Sequence, residues 1–338
     1  MAIPKSALSY SQAFKDTEKE LKNHLPPWKE GNSSQKLVLL GIYAAIYFPV
    51  AILLSLVIGV YSLYIIFYVY PLITDEPNPP DLYFYQSSSE KSFAKARGYL
   101  CLVLVSWCLF WLLCSMFKAI FTDPGQIPQT QQWDAPYDEA SESSSDLTPQ
   151  TFEKRKDGAS RACPRCNRRK PDRSHHCKQC QRCNLKMDHH CNWIANCVGY
   201  FNYKYFYLIL FYGSIALSIF IGTFWEAVIV NLDDPDSSTV TCFLVALCYS
   251  LMIMLGVSVV GFFIFHSWLI AKNYTTIEFC EKRRQKVIEY RESPYAFSVY
   301  YNFQEALGDN PCMWFFPFKY RKERQNGLSF KFQKVNIE

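Results

Sequence analysis

Apolar and polar positions along this chain fall in blocks rather than mixing evenly. Residues 37–73 carry no charge. That block is about 37 residues long, and one helical crossing of a bilayer needs roughly 20. It therefore reads as one long tilted span or as a run folded back at Pro49. A second apolar block, 98–121, has Lys118 at its end. A third, 203–231, has Glu226 near its far end. In the fourth, 240–271, His266 is the sole ionisable residue. Polar stretches separate the blocks: 1–36, 74–97, 122–202, 232–239 and 272–338. An average hydropathy near zero hides this division.

Where the charges lie orients the blocks. Lysine and arginine number six in 1–36, three in 74–97, twelve in 122–202, none in 232–239 and twelve from 272 onward. An excess of basic residues marks cytoplasmic loops. Both tails and the long middle segment are thus expected in the cytosol, and 74–97 and 232–239 on the lumenal or extracellular side. That parity requires two crossings before residue 122, so 37–73 reads as a single span. The N-terminal tail lacks the apolar core of a secretory signal, and Ala2 excludes N-myristoylation. Residues 122–160, rich in Ser, Gln, Pro and acids ("EASESSSD"), read as a cytosolic linker with no packed core. We discern no internal repeat at this level.

The middle segment also holds the chemistry. Seven of the fourteen cysteines fall between 163 and 197, with four histidines among them. They run "CPRC" (163–166), "HHCKQCQRC" (175–183), "DHHC" (188–191), then Cys197. Repeated Cys-x2-Cys with interleaved His is zinc spacing, and a reducing cytosol argues against disulfides. A closed zinc site takes four ligands. Two sites use eight of the eleven candidates, and at least one thiol remains beside free histidine and Asp188. Such a group has the composition of an activated nucleophile. Spacing alone does not choose the spare cysteine.

"DHHC" in a cysteine-rich segment between the second and third of four spans resembles the DHHC protein S-acyltransferases, or palmitoyltransferases. "TDPG" (122–125) after the second span is similar to that family's Asp-Pro-Gly motif. "TTIE" (275–278) after the fourth span matches its Thr-Thr-x-Glu motif. "YNFQEALGD" (301–309) resembles its C-terminal motif built around an asparagine, here Asn302. The resemblance implies an α-helical integral membrane protein, with four transmembrane helices and a cytosolic two-zinc domain at 161–202. It implies one zinc on Cys163, Cys166, His176 and Cys183, and another on Cys177, Cys180, His190 and Cys197. Cys191 is then the nucleophile, His189 its base and Asp188 the carboxylate orienting that base. His175 receives no role. Asn192 stands where the family has proline, Ala195-Asn196 where it has Asn-Asn, and Ala306-Leu307 replaces an aromatic.

The implied reaction moves a long acyl chain from acyl-CoA, such as palmitoyl-CoA, to Cys191 and on to cysteines of membrane-associated substrate proteins. Burying such a chain gains about 0.8 kcal/mol per CH₂, which favours an apolar holder among the spans. Trp193 is the expected acyl contact. Thr275, Thr276, Glu278 and Asn302 are expected to brace the site. Expected partners are membrane lipid, acyl-CoA and substrate proteins, in the endomembranes (Golgi or ER) or the plasma membrane. A membrane-tethered zinc-binding scaffold without catalysis is the alternative; it needs no spare triad. Nucleic-acid binding is not expected, because the Cys/His spacing matches no classical finger.

Overall fold

A computed structural model describes residues 33–74, 88–134, 151–154, 158–284, 293–318 and 326–333. The N-terminal tail up to residue 32 and the serine-rich centre of the linker lie outside the described residues. Helices dominate: α1 (Ser33–Tyr64), α2 (Tyr70–Ile73), α3 (Ser88–Phe121), α4 (Tyr203–Asp233), α5 (Thr239–Ala271), α6 (Thr276–Arg284) and α7 (Val299–Leu307). Four of the helical stretches are long and apolar enough to cross a membrane: Tyr43–Ile73, Ser88–Phe121, Tyr203–Asp233 and Thr239–Ala271.

The first span does not fold back at Pro49, which sits inside α1. The helix breaks its regular pattern later, in the π-turn Ile65–Val69 just before Pro71. Proline has no N–H for the preceding turn and its ring crowds a carbonyl there, and a π-turn absorbs that mismatch.

The chain divides into two compact units. One comprises the bodies of the spans, 51–115 and 207–266. Its core is aromatic: Tyr64 packs on Phe220 and Tyr68, with ring centroids 4.5 and 5.2 Å apart. The Tyr64 hydroxyl is 2.8 Å from Thr223 Oγ1, and Tyr61 reaches Ser106 at 2.9 Å. Glu226, near the far end of the third apolar run, accepts two hydrogen bonds from Arg97 at 2.8 and 2.7 Å. Pairing is how a charge is tolerated in such surroundings.

The other unit includes 116–206 and 267–333, and carries the cysteines. It contains three short antiparallel hairpins: β1 (Ala162–Cys163) with β2 (Arg168–Arg169), β3 (His175–Cys177) with β4 (Arg182–Asn184), and β5 (His189–Cys191) with β6 (Asn196–Val198). The hairpins repeat, contrary to the sequence reading. Cys163 faces Arg168, Cys177 faces Arg182 and Cys191 faces Asn196, each pair 14 residues after the last. The left-handed residue of each turn keeps the same step: Asn167, Gln181, Ala195. The repeat escaped notice because it is conformational: few residues besides Cys and His recur in it.

Apolar packing in the hairpins is sparse. Ile127, Trp133, Leu185 and Tyr200 gather around Cys163 and Cys183, with Leu328 and Phe330 from the C-terminal segment laid against them. So small a core seldom suffices without a metal or a cross-link.

Candidate metal centres and thiol site

Each metal cluster spans two hairpins. The turn of the first hairpin supplies Cys163 and Cys166, and the strands of the second supply His176 and Cys183, which are cross-strand partners. The next cluster repeats this one hairpin on: Cys177 and Cys180 from a turn, His190 and Cys197 from paired strands. Both follow one spacing, Cys-x2-Cys-x9-His-x6-Cys.

The donor geometry fits zinc. A tetrahedral ion with Zn–S near 2.3 Å sets its sulfurs about 3.8 Å apart. Cys166 and Cys183 are separated by 3.8 Å, Cys180 and Cys197 by 3.4 Å. His176 Nδ1 lies 3.6, 3.2 and 3.9 Å from the sulfurs of Cys163, Cys166 and Cys183. His190 Nδ1 lies 3.4–3.6 Å from its three. Proton affinities also split within each cluster. Hydrogen bonding from Cys183 draws Cys166 down to about 5, while Cys166 drives Cys183 up. Bonding from Cys180 lowers Cys177, and Cys177 raises Cys180 to about 12. Thiolates this close repel one another, and a divalent cation cancels that repulsion. Four ligands close each site, as in structural zinc centres.

Cys191 belongs to neither cluster. It begins the third hairpin's turn, as Cys163 and Cys177 begin theirs, but Ile194 stands where a second turn cysteine would be. The ligand pattern stops there and leaves one thiol over. Cys191 is 8% exposed and shares one face of β5 with His189, two residues away. His189 Nδ1 is 2.7 Å from Asp188 Oδ2 and its ring meets Phe206 edge-on at 5.0 Å.

The 14-residue step provides an internal comparison. "SHHC" at 174–177 and "DHHC" at 188–191 occupy equivalent places, so His175 matches His189. Burial, aided by Arg161, Lys170 and Arg173, pushes His175 down to about 4. Burial works against charge on His189 too, but hydrogen bonds to Asp188 and Cys191 outweigh it and push His189 up to about 10. Asp188, where the preceding hairpin has Ser174, accounts for the raised proton affinity of the second histidine.

Asp188 is 1% exposed and held by three donors. Besides His189, Thr276 N–H donates to Oδ1 at 2.9 Å and Thr276 Oγ1 donates to Oδ2 at 2.7 Å. Thr276 is the first residue of α6, so the carboxylate sits at a helix N-terminus, where negative charge is favoured. "TTIE" forms a capping box: Glu278 N–H donates to Thr275 Oγ1 at 3.2 Å, and Thr275 N–H donates to Glu278 Oε2 at 2.8 Å. Asn302 lies farther off. Its Nδ2 donates to Ala271 O, and its Oδ1 accepts from Phe297 N–H, fastening α7 to the end of α5. Trp193 is 53% exposed in the 3-10 turn Asn192–Ile194.

Sequence reasoning assigned no role to several residues here. Asn196, opposite Cys191, donates toward the carbonyls of Ala119, Ile120 and Thr122 at 3.0–3.1 Å, capping α3. Asp123 of "TDPG" accepts from Gly125 N–H at 2.7 Å and faces Arg182. A Cβ on Gly199 would meet Pro124 O at 2.7 Å, which explains a glycine there. Ala195 at φ +47° carries left-handed strain of about 1–2 kcal/mol.

The chain thus has two closed four-ligand Cys/His clusters, one further thiol beside an imidazole and a carboxylate, and four apolar helices long enough to cross a membrane. Residues 156–283 match the model of the DHHC palmitoyltransferases. The chain is 33% identical to the probable protein S-acyltransferase 14 of Arabidopsis thaliana, over 64% of this chain and 71% of the relative. Identity to probable protein S-acyltransferase 15 of the same plant is 33%, over 71% and 90%. With the palmitoyltransferase ZDHHC20-B of Danio rerio it is 32%, over 71% and 76%. This chain belongs to the DHHC palmitoyltransferase family.

Proposed function

We propose that the chain is a protein-cysteine S-palmitoyltransferase that works through an acyl thioester on Cys191. The observation carrying this reading is the Cys191 thiol, outside both metal clusters and on one strand face with a histidine that Asp188 holds at 2.7 Å. His189 takes the thiol proton. The Cys191 sulfur attacks the carbonyl carbon of acyl-CoA, the bond from that carbon to the CoA sulfur breaks, and His189 returns its proton to the departing thiolate. A substrate cysteine then gives its proton to His189, attacks the acyl-enzyme carbonyl and releases Cys191. Burial of Cys191 limits hydrolysis between the two steps. Zinc on Cys163, Cys166, His176 and Cys183, and on Cys177, Cys180, His190 and Cys197, supplies folding free energy to the hairpins. Trp193, exposed two residues from the thiol, is the acyl contact.

The basic residues of 122–202 and of the C-terminal tail support a cytosolic site, where acyl-CoA is met. The substrates are cysteine-containing proteins at an endomembrane or plasma membrane.

Purified protein given labelled palmitoyl-CoA should take up one hydroxylamine-sensitive label that maps to Cys191; label elsewhere, or none, overturns the reading. His189→Ala should keep both zincs and acylate about 10²-fold more slowly at pH 7, as for loss of a positioned base. Because the proton affinity of His189 is raised, wild-type rates should stay nearly level from pH 7 to 9. The variant should climb toward them as an unaided thiol, of pKa about 8.5, ionises. A wild-type rate for His189→Ala at pH 7 would remove His189 from the mechanism.

A further inference from the structure

Arg173 lies in the segment between β2 and β3, and its side chain is 0% exposed. A buried arginine needs its donors satisfied, and the destinations of these bonds are informative. Nε and Nη2 form a fork on Glu278, at 2.7 and 2.8 Å. Nη1 donates to Asn273 Oδ1 and Nη2 to Asn273 O, both at 2.9 Å. Glu305 of α7 lies 3.7 Å away and also binds Lys186 at 2.6 Å. Tyr295 and Phe330, which meet edge-on at 5.9 Å, both face the guanidinium, at 4.5 and 5.3 Å from their ring centroids.

Two paths run from this residue to Asp188, which it does not touch. Through its side chain it fixes Glu278, the third residue of α6. Glu278 completes the capping box with Thr275, and the next residue, Thr276, donates both bonds to Asp188. Through its backbone, Arg173 O accepts from Met187 N–H at 3.1 Å, next to Asp188. Arg173 adopts φ +60°, a conformation unfavourable to a side-chain residue and maintained here by these contacts.

We infer that Arg173 is a positioning residue for acyl transfer: it anchors the N-terminus of α6 so that Thr276 sets Asp188, and through it His189, against Cys191. This rests on the thioester reading above. It accounts for an arginine fork rather than a plain positive charge, because two parallel bonds fix the Glu278 plane as a single ammonium does not.

The test uses full-length protein, with single-turnover acylation at saturating palmitoyl-CoA, the donor KM and the zinc content measured together. Arg173→Lys keeps the charge and loses the fork. It should slow acylation roughly 10- to 100-fold, the scale of a small misplacement of a reacting group, with donor KM and zinc unchanged. Combined with Thr276→Val it should cost no more than the slower single variant, since both act on one path. Glu278→Gln weakens the same fork at equal volume and should behave alike, which keeps the test valid if Arg173→Lys folds poorly. Additive losses, a raised KM at unchanged rate, or unaltered acylation in both fork variants would each overturn the inference. Wild-type labelling in the same assay reports separately on the thioester reading.

Discussion

Cys191→Ser should abolish acyl-enzyme formation, by on the order of 10³-fold or more, while zinc stays at two per chain. The two halves of that result have separate causes. A serine hydroxyl is far less acidic than a thiol and a much weaker nucleophile at neutral pH, and neither His189 nor Asp188 repairs the deficit. Zinc content should hold because the eight donors of the two clusters exclude Cys191. Serine is nearly isosteric, so the β5–β6 pairing, in which residue 191 faces Asn196, should persist. Metal analysis of the purified variant beside the labelling assay decides the matter. Zinc falling toward one per chain would make Cys191 a ligand. Retained hydroxylamine-sensitive label at wild-type rate would move the nucleophile elsewhere.

The spans and the site differ in how they were legible from sequence. Residues 37–73 and 240–271 announce helices because a bilayer has no other use for such runs, and a helix satisfies its own backbone groups. Cys and His are too costly to scatter without purpose, so their density pointed to zinc. Local spacing was silent on which thiol is spare. That depends on a 14-residue period, which the Cys and His positions carry but which only the paired hairpins turn into two ligand sets. Arg173 reads as one more solvated cation in a basic stretch. Its meaning comes from Glu278, about a hundred residues later, and that partnership exists only after folding. "TTIE" was recognisable as a motif, but its action was not. A capping box that aims a helix N-terminus at a carboxylate from another element is a tertiary event. At Pro49 the charge count decided correctly between a break and a continuous span: α1 continues through it.

His190→Ala and Cys183→Ala should each lower zinc below two per chain and depress the melting temperature in detergent. The expected loss is large because little else holds these hairpins. Their strands are two or three residues long, and their apolar cluster is small. Structural zinc contributes about 10–16 kcal/mol of apparent binding free energy in small metal modules, more than most domains possess in total. The two variants should differ in what they do to chemistry. Cys183 holds the cluster shared by the first two hairpins, at a distance from the thiol along the chain. His190 stands between His189 and Cys191 on β5 and faces Cys197. Releasing it frees the strand that carries Cys191 and His189 together. Acylation in His190→Ala should therefore fall further than the unfolded fraction alone predicts, whereas in Cys183→Ala activity should track the folded fraction. Chelation of wild-type protein should reproduce the thermal loss, and added zinc should reverse it. Two zincs and an unaltered melting curve in either variant would remove that residue from the ligand set.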